Sequence, residues 1–174
     1  AVAFHKKGDA QMIERIEAEE FEGMRIRDKI MRGVQIRLEV VPDKEAVRRG
    51  TTLFALPQHA AEGAGLLWGT ADAIWTAIGD TSEDVNWYTK RATLSAVYSS
   101  TVLYWLGDDS LDSQATWAFL DRRIENVMQI EKLKSQIGDN PVLSRLLAGP
   151  AWLAGRIKAP SKADAAGLPG VAGE

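Results

Sequence analysis

Apolar residues recur along most of the chain at intervals of three and four, a spacing that predicts helices and no confident strand. The stretch 80–134 carries the pattern most clearly. Within it Trp87, Leu94, Tyr98, Thr101 and Trp105 share one sector of a helical projection, while Ala92, Ala96, Leu103 and Leu106 lie opposite. A helix apolar on two sides is expected to be central and buried on both, and this one is expected to end near Gly107. Between those sides Thr89, Thr93 and Ser100 form a stripe of hydroxyls able to bond back to the preceding turn.

The remaining elements follow in order. Met12, Ile13, Ile16 and Phe21 predict a short first helix that Asp9 caps, running to about Glu20. Ile26, Ile30, Val34, Leu38 and Val41 predict a second, from about Met24 to Val40, with Arg25, Arg27, Lys29, Arg32 and Arg37 on its other, solvated face. Pro42-Asp43-Lys44 reads as a turn with a capping carboxylate, and a third helix should run from Lys44 to Leu56 and stop at Pro57. A fourth, His59 to Gly79, sets Ala64, Leu67, Trp68, Ala71, Ile74, Trp75 and Ile78 against Glu62, Gly65, Gly69, Asp72 and Thr76. Gly65 and Gly69 each cost about 1 kcal/mol inside a helix, so a close packing partner is expected there, within the bundle or in a second subunit.

After the capping turn Gly79–Asp84 and the central helix comes another, about Leu111 to Ser135, with Trp117, Leu120, Ile124, Val127 and Met128 inward. Asn140 and Pro141 then open an amphipathic helix to Ile157, and Ala, Gly and Pro fill an aperiodic, disordered tail. The expected architecture is all-α, a bundle of about seven helices. It divides into a helical domain at 1–138, the amphipathic helix at 139–158 and the tail at 159–174.

Composition narrows the chemistry. The 174 residues, 45% of them hydrophobic, suffice for one core. The absence of cysteine excludes disulfides and thiolate metal sites, and a formal net charge of −3 argues against nucleic acid as a partner. No apolar run reaches the roughly 18 residues of a spanning helix. The start, Ala1-Val2-Ala3-Phe4-His5, lacks an initiator methionine and reads as that of a fragment or trimmed product.

Candidate catalytic motifs fail on inspection. Asp108-Asp109-Ser110-Leu111-Asp112 fits the DDxxD pattern that binds Mg²⁺ in isoprenoid diphosphate enzymes, but it fills a loop without a second cluster, so turn and cap chemistry explains it better. The histidines, His5 and His59, follow Val2 and Leu56 at i−3, so no Glu-x-x-His di-iron pair exists. No nucleophile motif or phosphate loop is present. The chain is expected to be non-enzymatic, with no cofactor and no metal.

Asp84-Val85-Asn86-Trp87-Tyr88-Thr89-Lys90-Arg91-Ala92-Thr93-Leu94-Ser95-Ala96-Val97-Tyr98, followed by Thr116-Trp117-Ala118-Phe119-Leu120-Asp121-Arg122-Arg123-Ile124, resembles the lipid-binding accessory family of ubiquinone (coenzyme Q) biosynthesis. The resemblance is specific over 80–134, extends toward His5 and fades after about Ile137; the family's further N-terminal helices have no counterpart here. It implies the fold of the ligand-binding domain of TetR-family regulators, whose bundle encloses an apolar cavity. It also implies a homodimer that holds a polyprenylated ubiquinone precursor, or another lipid, and presents it to the di-iron demethoxyubiquinone hydroxylase.

On that basis Leu67, Trp68, Ile74, Trp75, Leu94, Tyr98 and Val102 are the expected lipid-lining residues. Trp87 and Tyr88, with Asp84 and Arg91 at the rim, are the expected hydroxylase-binding patch. Val142, Leu143, Leu146, Leu153 and Ile157 are the expected membrane-contacting face, flanked by Arg145 and Arg156. The implied location is peripheral: the inner membrane of a bacterium from the cytoplasm, or the matrix side of the mitochondrial inner membrane. The alternative reading is the effector-binding domain of a TetR-like transcriptional regulator.

Overall fold

The computed structural model describes residues 1–138, and side chains as far as Ile130. The helix and tail expected beyond Gly138, with the membrane-contacting residues Val142, Leu143, Leu146, Leu153 and Ile157, lie outside the described residues. Six α-helices and two short 3-10 turns account for the described chain, and it contains no strand. The helices are α1 (Val2–Ala18), α2 (Ile26–Glu39), α3 (Lys44–Phe54), α4 (Ala60–Ala77), α5 (Val85–Leu106) and α6 (Gln114–Gly138). The expected all-α class holds.

α5 packs against α4 and α6, while α1 packs against α2 and α4 and α2 also reaches α6. Met12 and Ile16 of α1, Val34 and Ile36 of α2, Ile74 of α4, Leu94 of α5 and Leu120 of α6 meet in one core, each at most 3% exposed. No helix among the described residues is long and apolar enough to cross a membrane.

Local chemistry sets the boundaries. Asp43 caps α3 through the Glu45 amide (2.9 Å), and Asp84 caps α5 through the Asn86 amide (2.9 Å). α4 closes as a Schellman motif: the Asp80 amide donates to the Trp75 carbonyl, the Gly79 amide to that of Thr76, and Gly79 takes φ +86°. The DDxxD loop is a cap as well. Asp108 accepts from the amides of Ser110 and Thr116 at 2.8 Å each, and these bonds with the two hydroxyls hold its pKa far below the usual carboxylate value.

Several expectations are corrected. Asp9 does not begin α1; it sits mid-helix and accepts from Arg37 Nε at 2.7 Å. Arg37 is therefore not on a solvated face but 3% exposed. Three other members of the run are paired with carboxylates: Arg25 with Asp28, Arg27 with Asp121 and Glu125, and Arg32 with Glu19 and Glu39. Of the expected second side of α5 only Leu106 is buried, because Ala92 and Ala96 are exposed and Leu103 is 60% exposed. On α4 the assignment is partly reversed: Ala64 is exposed and Gly65 buried.

Candidate functional site

An apolar cavity of about 710 Å³ lies between α3 and the bundle. Its walls are Phe4 of α1, Leu38 of α2, Val47 and Leu53 of α3, Leu67 of α4 and Val102 of α5. The volume falls in the range of small-molecule sites, about 300–1,000 Å³.

α3 explains why the space is open. At helical spacing Ala46, Val47, Gly50, Leu53 and Phe54 share one side, and Glu45, Arg48, Arg49 and Thr52 share the other. The apolar side lines the cavity, yet no residue of α3 is fully buried. α3 is thus a roof over a void rather than a member of the core. Its far end is pinned by a close approach: a Cβ at Gly63 would come within 2.7 Å of Phe54 Cβ. Its near end is held by Lys44 Nζ and Arg48 Nη2, which donate to the Asp108 and Leu106 carbonyls at 2.8 and 2.7 Å.

One buried part of the wall is polar. Arg37 and Tyr98, each 3% exposed, and His5 all face the cavity. Arg37 donates through Nε to Asp9 Oδ1 and through Nη2 to the His5 carbonyl (3.1 Å). Gly8 makes room for it, since a Cβ there would stand 2.7 Å from Nη1. Thr70 Oγ1 donates to Asp9 Oδ1 (2.9 Å) or to the Leu66 carbonyl (3.2 Å) and lies 2.8 Å from His5 Nε2. With its single hydroxyl proton committed, Thr70 accepts from His5, which places the proton on Nε2. Burial lowers the His5 pKa, and pushes that of Tyr98 up to about 12, so both rings are neutral at pH 7.

A second cluster occupies the outer side of the α4–α5 joint. Trp68, Trp87 and Tyr88 stand together, with ring centres 6.0 Å (Trp68–Trp87), 6.5 Å (Trp68–Tyr88) and 4.8 Å (Trp87–Tyr88) apart. Both Trp87 and Tyr88 are half-buried. Trp68 Nε1 is buried and has no hydrogen-bond partner among the described residues. Below them Arg91 donates to Asp72 and, at 2.9 Å, to Asp80 Oδ2. Burial would raise the Asp80 pKa, but hydrogen bonds from Lys90, Ser82 and Arg91 outweigh it and bring the value to about 2.

Among the expected lipid-lining residues, Leu67, Tyr98 and Val102 lie on the cavity wall. Ile74, Trp75 and Leu94 lie in the core instead, and Trp68 joins the outer aromatic cluster. Of the expected partner patch, Trp87, Tyr88 and the exposed Asp84 share the start of α5. Arg91 is no rim residue: at 3% exposure it is spent on its two carboxylates. Phe4, His5, Arg37 and the inner face of α3 were not among the expected site residues. For α3 the signal was present, in the clean division of residues 44–54 into an apolar and a charged side.

Residues 60–131 match the family model COQ9. That segment holds α4, α5 and α6 as far as Glu131, and so the whole aromatic cluster, whereas the α1–α3 walls of the cavity lie outside it. The chain is 37% identical over 112 residues to "Ubiquinone biosynthesis protein COQ9, mitochondrial" of Rattus norvegicus, covering 63% of this chain and 36% of that protein. The Homo sapiens protein of the same description is 35% identical, covering 63% and 35%. "Probable ubiquinone biosynthesis protein coq9, mitochondrial" of Dictyostelium discoideum is 31% identical, covering 66% and 38%. The match thus spans little more than a third of the length of these relatives.

Proposed function

Residues 60–131 of this chain belong to the COQ9 family, and from that premise we propose that the protein is a non-catalytic, lipid-binding accessory factor of ubiquinone biosynthesis. It takes a polyprenylated ubiquinone precursor, or another lipid, into the cavity at a membrane surface and presents it to the di-iron demethoxyubiquinone hydroxylase. The observation that carries this reading is the cavity itself, about 710 Å³ of mostly apolar space beneath an amphipathic helix. An apolar chain lying along these walls gains dispersion contacts with them.

The hydroxylase docks on Asp84, Trp87 and Tyr88, where half-buried aromatic rings offer the anchoring surface typical of an interface. The two regions are close in sequence and space, since Leu67 lines the cavity and its neighbour Trp68 packs against Trp87. Arg91 serves the docking surface from below rather than at its edge. The protein works as a homodimer at the periphery of the membrane.

Native mass spectrometry with lipid extraction, on protein purified from a ubiquinone-making bacterium, tests the reading. Isoprenoid quinones or their precursors at near-stoichiometric level are expected. An empty protein that also ignores liposomes would overturn it.

A further inference from the structure

The inner end of the cavity differs from the rest of its wall. There Arg37 and Tyr98, each 3% exposed, and His5 bring polar atoms to a mostly apolar surface, whereas the other polar lining residues, Asp43, Arg49, Thr51 and Ser99, are half-buried or exposed. Asp9 and the His5 carbonyl each take one N–H of Arg37, whose guanidinium has five to offer. The Tyr98 phenol lies close enough to Arg37 and Asp9 to feel both charges, and it keeps its proton. Hydrogen-bonding groups buried beside an apolar cavity favour a ligand that brings a polar atom to them.

Charge decides what fills it. Arg37 is balanced by Asp9, and His5 is held neutral by burial with its one ring proton given to Thr70, so Tyr98 and Arg37 are the donors left and the corner has no net positive charge. An anionic headgroup there would meet the Asp9 carboxylate in a poorly solvated place. A neutral oxygen acceptor would meet the Tyr98 hydroxyl and the remaining N–H groups of Arg37 without that charge repulsion. We propose that the cavity takes its ligand head inward, with a neutral oxygen acceptor such as a quinone or ester carbonyl accepting from Tyr98 and Arg37 and the apolar tail leading out beneath α3. This rests on the reading of the cavity as a lipid site and adds to it the orientation and the class of head.

Three probes of one tail length separate the possibilities when measured by equilibrium dialysis against the delipidated full chain: decylbenzoquinone, decylbenzene and decyl phosphate. Wild type should hold the quinone most tightly. Tyr98→Phe, which removes one hydroxyl, should weaken the quinone about tenfold, the worth of one buried hydrogen bond, and leave decylbenzene unchanged. Equal losses for quinone and decylbenzene, no loss for either, or tightest binding of decyl phosphate would each overturn the head-inward arrangement while leaving the cavity as a lipid site. If decylbenzene itself is not held, the cavity reading fails and this proposal falls with it.

Discussion

The guanidinium carbon of Arg91 lies 3.9 Å from the centre of the Trp87 ring, so the buried cation of the α4–α5 joint also supports the aromatic surface above it. Trp87 is therefore both part of the packing and part of the face offered outward. Trp87→Ala should lower stability by about 1–3 kcal/mol, through the lost cation–π contact and lost burial. Trp87→Phe keeps a ring over Arg91 and should stay within about 1 kcal/mol of wild type. Both Trp87 variants and Tyr88→Ala should lose capture of the hydroxylase in a pull-down. If Trp87→Phe binds normally, the indole is packing and the docking surface lies elsewhere.

Removing Arg91 should do more damage than removing Trp87. Its guanidinium joins Asp72 to Asp80, and the Asp80 side chain is 2% exposed. Arg91→Ala leaves that carboxylate short of a partner in a poorly solvated place, at a cost of about 3–5 kcal/mol. Urea unfolding checks the figure, and a loss under about 1 kcal/mol would mean that Lys90 alone satisfies Asp80.

Two groups shape the response to acid. Asp80 titrates near 2 in the folded protein against an ordinary 3.8, so as the pH falls the unfolded chain takes up this proton first. Its stabilisation is complete above about 3.8 and is lost between there and about 2, roughly 2 kcal/mol in all. His5 is shifted down from 6.5 by burial, with Arg37 adding to the effect against the opposing pull of Asp9. Here too the unfolded chain binds the proton first, so stability begins to fall as the pH drops past about 6.5 and stops falling once the folded ring titrates. Urea unfolding across the acid range should show both legs. Asp80→Asn should flatten the lower one and His5→Gln the upper.

Helix limits were legible where one residue sets them. Asp43 with Pro42 opens α3, Pro57 follows its end, and Asp84 opens α5, because capping and proline chemistry act over a few positions. Asp9 and Arg37 were misread because each gains its meaning from the other, 28 positions away. In isolation an aspartate suggests a cap, and an arginine suggests solvent. Arg91 misled for the same reason, its partners lying on α4 and in the turn after it. The cavity was legible only in part. Periodicity shows which side of a helix is apolar but not whether that side meets another helix or a gap. Leu94 and Val102 look alike in the pattern, yet only Val102 faces the void. Ala92, Ala96 and Leu103 were likewise read as core, although the two alanines are exposed and Leu103 is 60% exposed at the cavity.

Gly50 offers the sharpest test of the cavity, because it separates filling the space from disturbing the fold. It lies on the inner side of α3 and lines the cavity, and a Cβ built on it meets nothing within 4 Å. A larger side chain at this position therefore extends into empty space. In the interior of a helix, glycine is about 1 kcal/mol worse than alanine and somewhat less so relative to leucine. Gly50→Leu should accordingly raise the stability of the lipid-free protein by up to about 1 kcal/mol, with the buried methyls adding to the gain. The same leucine occupies volume that a lipid tail needs, so lipid retained through purification should fall sharply. Gly50→Ala should give the gain in stability with little effect on lipid. Thermal unfolding and lipid extraction on the three proteins provide the two readouts. Undiminished lipid in Gly50→Leu would place the lipid outside this cavity, and a loss of stability would mean that α3 already packs against its neighbours there.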